Sequence, residues 1–160
     1  MDVADVIRAE KTDVEISDWF TGKVTKAKFP LSKARGAIQL GKSWRWRTVR
    51  FSALGQKFRL LIQLNVSKSK YSATLAIERD GDLAVFCCHE LHVSHKNWHC
   101  HFVPGDIEKT YPGVLRDREN MISWPSFTED ECTIDFTVTE QSALSIAAAR
   151  FRFEAQGELI

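Results

Sequence analysis

The stretch Cys87–Val103, CCHELHVSHKNWHCHFV, holds every histidine of the chain: His89, His92, His95, His99 and His101. It also holds Cys87, Cys88 and Cys100, three of the four cysteines. Imidazole titrates near neutrality and is the commonest side-chain ligand of transition metals, so its concentration in one short stretch points to chemistry. Two runs rich in aromatic and β-branched residues flank Ser94-His95-Lys96-Asn97, a polar turn, and this pattern predicts a β-hairpin. With Val93 set opposite Trp98, the pairs that follow are His92–His99, Leu91–Cys100, Glu90–His101 and His89–Phe102. Side chains alternate faces along a strand. One face then carries His92, His99, Glu90 and His101, and the other carries Val93, Trp98, Leu91, Cys100 and Phe102. A slip of one residue would mix Trp98 with the polar set, so the hydrophobic pattern selects which residues share a face.

Such a patch admits three uses. It can be the solvated face of an antiparallel sheet, where polar alternation is routine. It can be a site for zinc or another divalent metal, with His92, His99 and His101 as ligands. It can also be a metal-free acid–base set in which Glu90 orients an imidazole, making His92, His99, His101 and Glu90 the catalytic candidates. The spacing matches no closed Cys/His zinc template. Cys100 is expected on the apolar face as a small buried hydrophobe. Cys87 and Cys88 are adjacent, point to opposite faces and cannot easily share a disulfide.

A second feature is the segregation of charge behind a net value of +1. From Trp19 to Ile77 there is no Asp or Glu, and this interval carries 13 of the 22 basic residues. A one-sign block creates a local field that net charge does not report. Lys42, Arg45, Arg47, Arg50, Lys57 and Arg59 are the candidate nucleic-acid contacts, since Lys and Arg neutralise phosphates and neighbouring aromatics stack on bases. The alternative is a solvated surface that pairs with acidic residues elsewhere in the fold. Within the block, Gly36–Ser43 satisfies G-x-x-x-x-G-K-S. A phosphate loop follows a buried strand and opens a helix, whereas here the β-like Trp44–Phe51 follows, so the match reads as coincidence.

These features have to be positioned by a small set of elements. At 160 residues the chain is expected to form a single domain, 1–160. Asp2 can cap a short N-terminal helix, and Val14, Ile16, Trp19 and Phe20 fit a helical turn or a strand. Residues 21–43 read as a basic connector. Strands are predicted over 44–52, 57–66, 71–78, 83–93 and 97–103, with Asp80-Gly81 as a hairpin turn. Residues 105–131 read as a long polar loop, Cys132–Val138 as a sixth strand, and 140–150 as a helix capped by Thr139, with Phe151 and Phe153 open to a final strand. The class is α+β: a curved antiparallel meander of about five to six strands packed by N-terminal and C-terminal helices.

No stretch is apolar enough to span a membrane, the N-terminus lacks the apolar segment of a secretory signal, and scattered free cysteines suit a reducing cytoplasm. Two functions fit. In the first, the protein binds nucleic acid, RNA or DNA, through its basic block and cleaves it at the His/Glu patch, with or without a metal ion. In the second, it is a non-enzymatic inhibitor or regulatory module that clamps an acidic protein surface with the same block.

Overall fold

The computed structural model describes residues 1–31, 38–95, 97–110, 120–125 and 132–155. The elements run α1 (Val3–Arg8), β1 (Thr12–Ile16), β2 (Phe20–Thr21), β3 (Arg45–Ala53), β4 (Gln56–Asn65), β5 (Lys70–Arg79), β6 (Asp82–His92), β7 (His99–Phe102), β8 (Ile122–Trp124) and α2 (Glu140–Phe151). The eight strands form one open antiparallel sheet in the order β1-β3-β4-β5-β6-β7-β8, with β2 also paired to β3. The α+β class and the antiparallel meander are as expected; the strand count is higher. The extra strands are short edge pieces, β1 and β2 on one side and β8 on the other. The segment 132–138 is not a strand. The strand that pairs with β7 is β8, from within the expected polar loop. Phe151 ends α2 and Phe153 packs in the core without joining a strand.

Local chemistry accounts for the turns and caps. Leu54 and Gly55 (φ 50° and 72°) and Asp80 and Gly81 (φ 50° and 76°) put two positive φ values at the centre of each tight hairpin. That is the mirror-image turn whose twist matches the flanking strands. Both helices open on reciprocal capping boxes, Asp2 with Asp5 and Thr139 with Ser142. Ala143 and Ala147 are small, so α2 lies close against the sheet.

The sheet is apolar on both faces over much of its area. On one face Val49, Phe51, Phe58, Leu60, Ile62, Leu64, Tyr71 and Leu75 pack beneath the helices, which contribute Val6, Leu144 and Phe151. On the other face Trp46, Leu61, Ala76, Leu83 and Val85 are covered by Val24, Phe29 and Leu31 from the basic connector. Each Val, Leu, Ile or Phe among them contributes about 1.5–3 kcal/mol by leaving water. The connector is therefore a lid on the second face rather than a free arm, although 32–37 lie outside the described residues.

One irregularity decides which residues reach the second face. Leu75 lies opposite Cys87 and Ala76 opposite Val85, so Phe86 is the extra residue of a β-bulge in β6. Before the bulge Leu83 and Val85 face the second core; after it Phe86 and Cys87 both face the first. The alternation is shifted by one, and Cys88, Glu90 and His92 come out on the second face. A bulge that re-aims side chains in this way is a common device beside functional sites.

Cys87, Cys88 and Cys100 are buried and Cys132 is half-buried. Burial pushes the Cys87 thiol up to about 12 and raises that of Cys100. The thiolate is the reacting form. In native protein a thiol reagent should label Cys132 rapidly and leave the other three until the chain unfolds. Rapid labelling of two or more thiols would contradict the packing of β6 and β7.

Candidate metal centre

The pairing of β6 with β7 places Glu90 opposite His99, Cys88 opposite His101, and His89 opposite Cys100. The expected hairpin had Glu90 opposite His101. The observed register is displaced by two residues because the strands stop at His92 and His99 and leave a wider turn between them. An even displacement preserves the faces, so the residues expected to cluster do so. The second face carries Glu90, His92, His99 and His101. On the first face Trp98 stacks on His89, with ring centroids 4.8 Å apart, and meets Tyr71 edge-on at 5.6 Å.

The three imidazoles converge on one carboxylate oxygen. Glu90 Oε2 lies 3.1 Å from His99 Nε2, 3.3 Å from His101 Nε2 and 3.6 Å from His92 Nε2. The opposite nitrogen of each ring meets an oxygen: His92 Nδ1 is 2.8 Å from Ser94 Oγ, His101 Nδ1 is 2.9 Å from Ser123 Oγ, and His99 Nδ1 is 3.3 Å from the Asn97 carbonyl. Glu90 Oε1 accepts from the Cys88 thiol at 3.3 Å, and that sulfur lies 3.3 Å from Thr74 Oγ1. His95 folds back from the turn onto His92 and His99, its ring centroid 4.6 Å and 5.3 Å from theirs. Burial, together with those two imidazoles, lowers the His95 pKa.

The set is enclosed on the side of the strands and opens beside His92. His99 has 1% of its side chain exposed, Glu90 and His101 9% each, and His92 18%. Unpaired charge is costly at such depth. Glu90, His99 and His101 bring their ligand atoms within 4.8 Å of one another and can hold a metal ion. Two donors bound about 2.0–2.2 Å from a tetrahedral ion stand about 3.3–3.6 Å apart; the three Glu90–imidazole separations lie at or near that range, while the set of Glu90, His99 and His101 spreads to 4.8 Å, so the rings would draw together on an ion.

His99 sharpens the chemistry. A carbonyl and a carboxylate only accept, and a neutral ring has a single N–H to share between the Asn97 carbonyl at 3.3 Å and Glu90 Oε2 at 3.1 Å. A metal ion on Nε2 would free Nδ1–H for Asn97. His92 and His101 face hydroxyls, which donate or accept and so allow either tautomer. Asn97 supplies its carbonyl from a left-handed backbone (φ 64°), a conformation that asparagine tolerates better than most residues.

His89 is the one histidine on the other face. Burial, with Arg150 nearby, lowers its pKa to about 4 and keeps it neutral near pH 7. Four contributors went unseen in the sequence. Cys88 shares the face of Glu90 at a spacing of two residues, which was a usable signal. Ser94, the Asn97 carbonyl and Ser123 carry none, because their roles depend on the turn and on β8.

The basic candidates divide into two groups. Arg45 pairs with Glu140 at 3.0 Å, and Arg50 and Arg59 both pair with Glu78, at 3.0 Å and 2.6 Å. Arg47 donates to the Ser17 carbonyl at 2.7 Å and lies over the Trp19 ring. Lys42 and Lys57 are exposed, as are Lys68 and Lys70, and none of the four has an acidic partner among the described residues. In the G-x-x-x-x-G-K-S stretch Gly36 and Ala37 lie outside the described residues. Ser43 accepts a hydrogen bond from Asn65 and is followed by β3, not by a helix. No helix among the described residues is long and apolar enough to cross a membrane.

Burial works to raise the Glu78 pKa, but the Arg59 and Arg50 guanidiniums beside it hold it below the ordinary 4.5. A depressed carboxylate contributes stability that is present above its ordinary pKa and lost as pH falls through the lowered one. Between about pH 5 and about pH 3 the wild-type melting temperature should therefore fall more steeply than that of Glu78→Gln. Parallel curves would show that Glu78 holds no arginine.

No family model, no curated protein and no solved structure matches this chain.

Proposed function

We propose that the protein is a metal-dependent hydrolase of nucleic acid whose centre holds a Zn²⁺-class divalent ion on His92, His99, His101 and Glu90. The observation that carries the metal is the orientation of the rings: three Nε2 atoms meet at one carboxylate oxygen, and all three Nδ1 atoms have an oxygen to donate to. Metal-bound histidines characteristically donate their second N–H in this way, which fixes the tautomer and the ring plane. An all-imidazole and carboxylate donor set suits zinc and neighbouring divalent ions rather than calcium or magnesium. Such an ion polarises a phosphoryl oxygen and brings the pKa of water toward about 7.

The chain's own groups then have definite tasks. Cys88 donates to Glu90 Oε1 and leaves Oε2 for the centre. His92 stands at the open side, where a substrate would approach. Exposed Lys42, Lys68 and Lys70 lie at the same end of the sheet and supply the charge that phosphates need. The nucleic-acid part of the proposal leans on these lysines, since the arginines of the block are engaged within the fold. The alternative of a non-enzymatic module clamping an acidic protein surface draws on the same block and gives the converging imidazoles no task.

Chelator-treated protein should take up one equivalent of Zn²⁺ by calorimetric titration. His99→Ala and His101→Ala should abolish uptake, and Ser123→Ala, which removes only an Nδ1 partner, should weaken it by about 10–100-fold. The loaded protein should cleave single-stranded RNA or duplex DNA, and chelator should stop it. A folded wild-type protein that binds no ion would overturn the metal centre. Cleavage that survives chelator would assign the chemistry to the imidazole–carboxylate set alone.

A further inference from the structure

Beside the centre lies a cleft of about 270 Å³ that includes Trp44, Gln63, Lys70, Ser72, Glu90 and His92 in its walls. We infer that this cleft binds one nucleotide unit, with the base against Trp44 and the phosphate between Lys70 and His92. The inference deepens the function proposed above and takes its reacting end from that centre.

The sheet itself sets the spacing. Gln63 lies opposite Ser72, Ser72 opposite Glu90, and Glu90 opposite His99, a continuous polar row across four strands. In the adjacent row Asn65 lies opposite Lys70 and Lys70 opposite His92. Trp44 precedes Arg45, whose partner is Leu64, and so stands beside Asn65. Neighbouring strands are about 4.8 Å apart, which puts Lys70 one strand from His92 and about 10 Å, two strands, from Trp44. A nucleoside monophosphate spans that interval with its sugar over Gln63 and Ser72, whose amide and hydroxyl suit ribose oxygens.

The chemistry of the walls is consistent with this ligand. Trp44 is half-buried and offers an aromatic face, on which bases stack without regard to sequence. Asn65 is fully buried; its amide donates to Ser43 Oγ at 3.0 Å while its carbonyl oxygen accepts from Ser67 and Lys68. Those bonds hold the start of β3, and with it Trp44, against the turn that carries Lys68. Glu90 is the one acidic residue of the cleft, and its Oε2 is turned to the imidazoles. Lys70 is the one lysine of the walls and stands on the strand beside His92, so an anion is drawn to the end where the metal centre begins.

The test is calorimetric titration of the full-length protein with adenosine 5′-monophosphate, adenosine and ribose 5-phosphate, with and without Zn²⁺. The monophosphate should bind at least about 10-fold more tightly than either fragment, since each fragment lacks one of the two anchors, the base on Trp44 or the phosphate on Lys70. Trp44→Ala and Lys70→Gln should each weaken it by about 10-fold, and Trp44→Phe, which keeps an aromatic face, should retain most of it. Both substitutions lie outside the metal ligands and should leave Zn²⁺ uptake unchanged. Normal Zn²⁺ uptake without monophosphate binding, or binding indifferent to Trp44 and Lys70, would overturn the cleft and leave the metal centre standing. Binding that depends on both residues in a protein that takes up no Zn²⁺ would keep the cleft and overturn the centre. A single-stranded pentaadenylate that binds more tightly than the monophosphate identifies a strand as the ligand, and equal affinity identifies the free nucleotide; either keeps the cleft.

Discussion

A neutral imidazole has one N–H, and His99 has two acceptors to offer it to, Glu90 Oε2 at 3.1 Å and the Asn97 carbonyl at 3.3 Å, with His99 and Glu90 almost wholly out of water. A divalent ion on the Nε2 side would satisfy both acceptors, because His92, His99 and His101 could each then donate Nδ1–H to the oxygen already beside it. The buried carboxylate, the three rings and the outer oxygens are thus one polar network, and removing any member leaves another without its partner.

The rest of the fold serves to assemble this unit. The long strands β3 to β6 bury apolar side chains on both faces, and this double burial gives a platform stiff enough to hold four polar side chains in register. The bulge at Phe86 turns Glu90 and His92 away from the helices and toward the second face. Without it, Glu90 would point into the packing beneath α2. The short edge strand β8 brings Ser123 to His101, and the Cys132 amide donates to the Val93 carbonyl, tying the C-terminal connection to the hairpin turn.

Much of this was legible in the sequence, for a simple reason. Alternation along a strand depends only on parity, so which of the residues between His89 and Phe102 share a face survives an error of two residues in pairing. Glu90, His92, His99 and His101 were grouped correctly although the register was not. The bulge was invisible, since Phe86-Cys87 reads as an ordinary pair of apolar residues in a buried strand. The acid-free block from Trp19 to Ile77 was visible, but its role was not. Glu78 and Glu140 are distant in sequence, and only the folded sheet brings them to Arg50, Arg59 and Arg45. The strand β8 was hidden in a polar segment, where three residues carry too little pattern to be recognised.

The central claim is that the Glu90 carboxylate and three imidazoles form the shell of one divalent ion. X-ray absorption at the zinc edge of the loaded protein measures that shell directly. The account predicts three imidazole nitrogens, one carboxylate oxygen and one further oxygen from solvent at about 2.0–2.2 Å, with the outer-ring scattering of three histidines. A sulfur at about 2.3 Å, which would bring in Cys88, or a shell of oxygens with at most one imidazole, would contradict it.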